Sequence, residues 1–339
     1  MKNMIKEFCA LSGASGREEN VRNAILDLIK PYADVTVDPL GNIIAFKKGE
    51  FTPKKKVMLD AHMDEVALII TAIDDNGFLK FQTVGGIDTA VLISKTVKVG
   101  SVSGVIGSKP VHLCKSNEKE KMPSVEDLYI DIGAENKAEA ECYVSLGDVA
   151  IFDTEFTLLG DLILSKALDD RAGCAILVDL IRQPSQYDFY ATFTVQEEVG
   201  LRGARTAAYT VDPDYAIVLE STTAADLSNV PSDKKVCKIG NGAVVSFMDG
   251  STMYDRRLFE DCLETARINN IPVQVKSATS GGNNAGAIHL SRNGVRTLAL
   301  SVPCRYIHSP SSVADINDIY AVRDLAKEML LSLANGELE

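Results

Sequence analysis

Tryptophan is absent from the 339-residue chain, and histidine is scarce, with four copies. The first absence decides nothing about function, while the second narrows any histidine-based chemistry to His62, His112, His289 and His308. No uncharged apolar run approaches the ~20 residues that span a bilayer. The opening residues, Met1-Lys2-Asn3-Met4-Ile5-Lys6-Glu7, lack the apolar centre of a signal peptide. Seven cysteines include no Cys-x-x-Cys pair, and their odd number argues against a disulfide framework. We expect a cytoplasmic, reducing setting in which most of these cysteines are small core residues. Long basic runs are missing too. The Lys54-Lys55-Lys56 cluster is short and the net charge is −12, which excludes a nucleic-acid partner held through its phosphates. The lack of a spanning apolar run argues against a membrane partner.

What is present is an ordinary globular balance, 46% apolar and 24% charged. At roughly 150 residues per domain the length suggests about two domains. The first thirty residues are helical in pattern, broken at Ser12-Gly13-Ala14-Ser15-Gly16. Ser15 and Glu18 have the spacing of a capping box. Residues 34–47 read as a hairpin, and Val57-Met58-Leu59 as a buried strand. From 69 to 161, short β-rich runs alternate with turns about every ten residues, the texture of a small barrel or sandwich. The polar stretch 116–124 reads as a mobile loop, and a short helix begins near Asn136. Beyond 162, strands (189–195, 216–219) alternate with helices (172–181, 203–209), and a long helical repeat runs from Ile319 to Leu333. The βαβα order predicts an α/β class domain interrupted by a β-rich insertion.

Five segments could carry chemistry. Asp60-Ala61-His62-Met63-Asp64-Glu65 follows a strand. His62 and Asp64 share a face there, so the carboxylate can fix the tautomer of a metal-binding imidazole. The alternative is a polar turn with a capping Asp. Lys166-Ala167-Leu168-Asp169-Asp170-Arg171 meets a helix, where an aspartate either caps the helix or bridges two cations. Gln196-Glu197-Glu198-Val199-Gly200 ends an apolar strand. Two adjacent glutamates are costly there unless paired or useful, although a solvated strand end is the plainer reading. Their side chains diverge, so one can ligate a metal while the other takes a proton from water. Glu220 ends another strand, and His308 sits in Cys304-Arg305-Tyr306-Ile307-His308. His112 and His289 have no carboxylates nearby and read as structural. Together the set places histidines and carboxylates at the C-terminal ends of strands, where open α/β sheets build sites. Mixed nitrogen and oxygen donors suit Zn²⁺, Co²⁺ or Mn²⁺.

These segments, in this order, resemble the tetrahedral-aminopeptidase family of dinuclear metallopeptidases, which includes glutamyl aminopeptidases. Gly104-Val105-Ile106-Gly107-Ser108-Lys109-Pro110 extends the likeness into the insertion. The resemblance implies two divalent ions per subunit, with Asp169 bridging them. His62 and Glu220 would complete one site, Glu198 and His308 the other. Glu197 would be the general base and Asp64 the support of His62. It also implies an α/β/α catalytic domain with a central mixed sheet (1–68 and 162–339) and a PDZ-like β-barrel insertion (69–161). The insertion would help build homo-oligomers, from dimers to dodecameric tetrahedral shells, acting on short peptides. Two positions depart from the family's pattern. Glu220 stands where aspartate is commoner. Gly281-Gly282-Asn283-Asn284-Ala285 replaces Gly-Gly-Thr-Asp-Ala, which removes a charge near the expected site. The residues alone leave other readings open: a metal-dependent deacylase of a non-peptide amide, a glycosidase using paired carboxylates, or a non-catalytic shell protein.

Overall fold

The computed structural model describes residues 1–114 and 121–336. Helices α1 (Lys2–Ala10) and α2 (Glu19–Ile29) precede a hairpin, β1 (Asp34–Val37) and β2 (Ile43–Lys47), and strand β3 (Val57–His62). Next come β4 (Ala67–Ile73), β5 (Leu79–Val84), β6 (Thr96–Val99), β7 (Val102–Gly107), β8 (Tyr129–Asp131), the short helix α3 (Lys137–Ala140) and β9 (Val149–Phe152). The chain continues through β10 (Thr157–Leu159), β11 (Leu162–Ser165), α4 (Leu168–Arg182), β12 (Phe189–Thr194), α5 (Arg202–Val211) and β13 (Tyr215–Thr223). It ends with β14 (Ala243–Val245), α6 (Arg256–Ile268), β15 (Val273–Val275), α7 (Ala285–Ile288), β16 (Arg296–Arg305), β17 (Ser312–Asp315) and α8 (Ile316–Asn335).

The strands form two bodies. One is a mixed sheet in the order β1-β2-β12-β3-β13-β16-β17-β11-β10, from which β14 and β15 branch at β16. The other is a closed antiparallel barrel, β4-β5-β8-β7-β6-β9, inserted in sequence between β3 and β10. The α/β expectation therefore holds, and the β-rich stretch closes into a barrel.

Alternation along the central strands decides which helices cover which face. Val57, Leu59 and Ala61 of β3 pack with α1, α2, α4 and α8, while Met58 packs with α5 and α7 on the other side. In β13, Ile217 and Leu219 face the first layer, Ala216 and Val218 the second. Strands β12, β3, β13 and β16 run parallel, so their C-terminal ends emerge together on one edge of the molecule. Helix α4 is buried on nearly all sides because it lies between the sheet and α1, α2 and α8, which explains its unbroken apolar run from Ala172 to Val178.

One expectation fails. Ser15 and Glu18 make no capping box: α2 begins at Glu19 with no side-chain cap, and both side chains turn toward other segments. The loop expected at 116–124 lies, from 116 to 120, outside the described residues.

Candidate active site

The chemistry-bearing residues stand near or past the C-terminal ends of central strands or at the start of α4; Glu220, expected to end its strand, is followed by three more residues of β13. His62 is the last residue of β3, Glu197 and Glu198 follow β12, Glu220 lies in β13, and His308 follows β16. Asp169 sits in the first turn of α4, where Asp169 and Asp170 depart from helical backbone angles and share a cis peptide. Tertiary folding thus gathers side chains that are up to 246 residues apart (62 to 308).

Asp169 is the centre. Its Oδ1 lies 3.3 Å from His62 Nε2, and its Oδ2 lies 3.5 Å from His308 Nε2. Glu220 Oε1 approaches His62 Nε2 at 3.4 Å, and Glu198 Oε2 approaches His308 Nε2 at 3.2 Å. The donor atoms of His62, Asp169 and Glu220 lie within 4.8 Å of one another, as do those of Asp169, Glu198 and His308. Two triads therefore share one aspartate. A third group, His62, Glu197 and Glu198, meets the same limit.

The groups around these triads set their orientation. His62 Nδ1 faces the Asp64 carbonyl at 3.1 Å and its Oδ1 at 3.4 Å. Asp64 also accepts the backbone N–H of Glu197 at 2.9 Å, the N–H of Glu198 at 3.1 Å and the Ser15 hydroxyl at 2.6 Å. The Cys174 thiol donates to the His62 carbonyl. Glu65 receives Lys166 on both oxygens, at 2.8 and 2.7 Å, and Arg171 at 3.2 Å. Arg171 also donates to the Met63 carbonyl at 2.9 Å, which ties the His62–Glu65 segment to the start of α4.

Electrostatically the site holds more negative charge than its own cations offset. Burial pushes the Glu197 and Glu198 carboxyls up; Glu220 and its neighbours add to this for Glu197, and Asp169 does so for Glu198. Glu220 rises to about 8, through burial and then Asp169. Burial alone depresses His308, yet Asp169 and Glu198 raise it to about 11. His62 follows the same logic, with burial overcome by Glu220, Asp169 and Asp64. Asp169 moves the other way, below the usual carboxylate range: burial opposes this, but His308 and His62 prevail. Among the described residues, Asp169, Glu198 and Glu220 pair with the two histidines and with no Lys or Arg. Four clustered carboxylates and two imidazoles, which would ligate once deprotonated, are a donor set that fits divalent cations, which would neutralise charge that is costly to bury. The site opens into a cleft of about 220 Å³ lined by Glu197, Glu220, Ser301, Asn283, Ile307 and Lys276.

Comparison with known proteins decides the family. Residues 41–325 match the model of the M42 glutamyl aminopeptidases. The chain belongs to the M42 glutamyl aminopeptidase family. It is 42% identical, over 94% of its length and 95% of the relative's, to a putative aminopeptidase of Acetivibrio thermocellus. The TET aminopeptidase of a marine-sediment Thaumarchaeota archaeon superposes with a TM-score of 0.95 at 33% identity, covering 99% of this chain and 97% of that one. The TET1 peptidase of Pyrococcus horikoshii, described as able to assemble into a tetrahedron or a large octahedral shell, does so at 0.85 with 37% identity and 98% of each chain covered. This M42 chain is accordingly a peptide hydrolase of the aminopeptidase type, and the family implies dependence on divalent metal.

All seven residues expected at the M42 site, His62, Asp64, Asp169, Glu197, Glu198, Glu220 and His308, are brought into one neighbourhood. The other two histidines are elsewhere: His112 is exposed in the turn Val111–Leu113, and His289 Nδ1 faces the Ala285 carbonyl at 2.7 Å. Asn284 is buried and is not part of the cleft wall. It donates to Asp60 Oδ2 and to the Thr194 hydroxyl, both at 2.8 Å. Asp60 carries a signal in the sequence, since its spacing of two from His62 on β3 places both on one face. Lys276 carries no such signal, because its place in the cleft depends on long-range packing.

Among the described residues no helix is long and apolar enough to cross a membrane.

Proposed function

We propose that the protein is a dinuclear metallo-aminopeptidase that removes single residues from the N-termini of short peptides. The observation that supports this most is Asp169, shared by two triads whose donor atoms lie within 4.8 Å. His62, Glu220 and Asp169 would hold one ion, and Glu198, His308 and Asp169 the other, with Zn²⁺ or Co²⁺ favoured and Mn²⁺ acceptable to the same donors. Bound ions at such a site lower the pKa of water and polarise a carbonyl oxygen.

The chain's own groups would do the rest. Glu197 stands beside both triads and ligates in neither, so it is free to accept the proton of the attacking water. As the carbon–nitrogen bond breaks, Glu197 returns that proton to the leaving nitrogen. Asp64 holds the Glu197 and Glu198 amides and so fixes where the base points. Lys276, a cation on the cleft wall, would favour an acidic side chain on the N-terminal residue. We further propose a cytoplasmic homo-oligomer in which the barrel builds the contacts between subunits; the P. horikoshii relative is described as assembling into a tetrahedron or a large octahedral shell.

A panel of aminoacyl chromogenic substrates tests this reading, run with Zn²⁺, Co²⁺, Mn²⁺ or chelator. Hydrolysis of free-amino substrates, abolished by chelator and restored by metal, is the expected outcome, with glutamyl and aspartyl substrates preferred over lysyl. Turnover of N-acylated substrates alone would point to a deacylase. Glycoside cleavage that survives chelator would point to a glycosidase.

A further inference from the structure

The Gly13–Glu18 loop between α1 and α2 reaches the site from outside the segment that matches the family model, residues 41–325. It makes four separate attachments there. Gly13 and Glu65 are joined twice: the Glu65 N–H donates to the Gly13 carbonyl at 2.9 Å, and the Gly13 N–H to Glu65 Oε1 at 3.2 Å. Ala14, fully buried, packs against Ala67 and Ile151 of the barrel. The Ser15 hydroxyl donates to Asp64 Oδ2 at 2.6 Å. Glu18 Oε1 accepts the N–H of Gly16 at 2.6 Å and that of Gln196 at 3.1 Å.

The last two contacts act on one short stretch. Three consecutive amides, those of Gln196, Glu197 and Glu198, are each held by a carboxylate: the first by Glu18, the other two by Asp64. Gln196 has a φ of +56°, a left-handed conformation that a side chain other than glycine holds only when its surroundings fix it. Ser15 donates to the same Asp64 oxygen that accepts from Glu198, so the hydroxyl sets the rotation of the carboxylate that clamps the Glu197–Glu198 pair. The close approach depends on residue 13 having no side chain. A Cβ there would lie 2.5 Å from the Arg171 guanidinium and 2.7 Å from Val21.

We infer that the Gly13–Glu18 loop is a positioning element for the base. Ser15 and Glu18, through Asp64 and the Gln196–Glu198 amides, set the direction of the Glu197 carboxylate. The inference rests on the reading of Glu197 as the general base. Neither Ser15 nor Glu18 lines the cleft or belongs to a triad. Their removal should therefore lower kcat while leaving KM and metal content in place.

The test compares full-length, metal-loaded Ser15→Ala, Ser15→Thr, Glu18→Gln and Glu197→Gln with the parent. The measurements are kcat and KM on the best aminoacyl substrate, ions per subunit, native mass and Tm. Ser15→Ala should lose about ten- to hundredfold in kcat, the scale of a small misplacement of a reacting group. KM should stay within twofold, with ions and native mass unchanged. Ser15→Thr, which keeps the hydroxyl, should recover most of the loss, and Glu18→Gln should fall between. Full kcat in Ser15→Ala, a loss matched by falling metal content or Tm, or no recovery in Ser15→Thr would each overturn the inference. Glu197→Gln separates the two ideas. If it is inactive while Ser15→Ala is fully active, only the loop's role fails; if it keeps its turnover, the base is misassigned and the loop's role falls with it.

Discussion

Asp169 can serve two triads because its two oxygens point at different histidines, Oδ1 at His62 and Oδ2 at His308. Glu197, left outside both, is the residue whose loss should be purely chemical. Glu197→Gln should retain its ions while kcat falls by about 10²–10⁴-fold, read from steady-state kinetics beside elemental analysis. Asn284 carries a second prediction. Burial raises Asp60 to about 6, against the pull of Thr192 and Asn284, which favour its charged form. Asn284→Asp would set a second carboxylate against it, and the pair would have to keep a proton. A carboxyl that holds its proton more tightly folded than unfolded loses stability as pH rises, because the unfolded chain then releases that proton more readily. The Tm gap between parent and variant should therefore widen as pH climbs above about 6; a gap that narrows would refute this. The same contact gives a local reason for the amide at 284, since Asp60 already supplies the carboxylate there. His62, Asp169, Glu198 and their partners were legible because strand ends and paired acids mark them locally. Ser15 and Glu18 were misread because their spacing of three fits a helix cap, whereas their partners, Asp64 and Gln196, are 49 and 178 residues away.

Elements were legible where their periodicity was long. Helix α8, with Ile319, Val322, Leu325, Met329 and Leu333 buried, shows its stripe in the sequence, and β3 and β13 show theirs as apolar runs. Strands β14 and β15, three residues each, carry too few side chains for any period to register. Burial by α8 supports the sheet without entering the site. Leu325 is completely buried, so Leu325→Ala should cost about 2–5 kcal/mol of stability. Turnover per folded molecule should stay at the parent's value at a temperature below the new Tm. A specific loss of kcat with an unchanged melting curve would mean that α8 bears on the site directly.

At the scale of the whole molecule, the sheet, the loops past its strands and the start of α4 supply the proposed ligands, and the barrel meets them from one side. Gly85 and Gly86, just past β5, come so close that a Cβ would lie 3.3 Å from Glu198 and 3.6 Å from His308. Ions entering the site must displace protons: His308 is held up to about 11, and Glu220 up to about 8. Metal binding should thus release protons and weaken as pH falls. Calorimetric titrations in two buffers of different ionisation enthalpy check this through the difference between their apparent heats; equal heats would contradict it. The proposed chemistry requires a pair of ions joined by Asp169, and counting ions tests that directly. Elemental analysis of the Zn²⁺- or Co²⁺-loaded protein should find two per subunit, and Asp169→Asn should lose both together. One ion in the parent, or two still bound in Asp169→Asn, would contradict it.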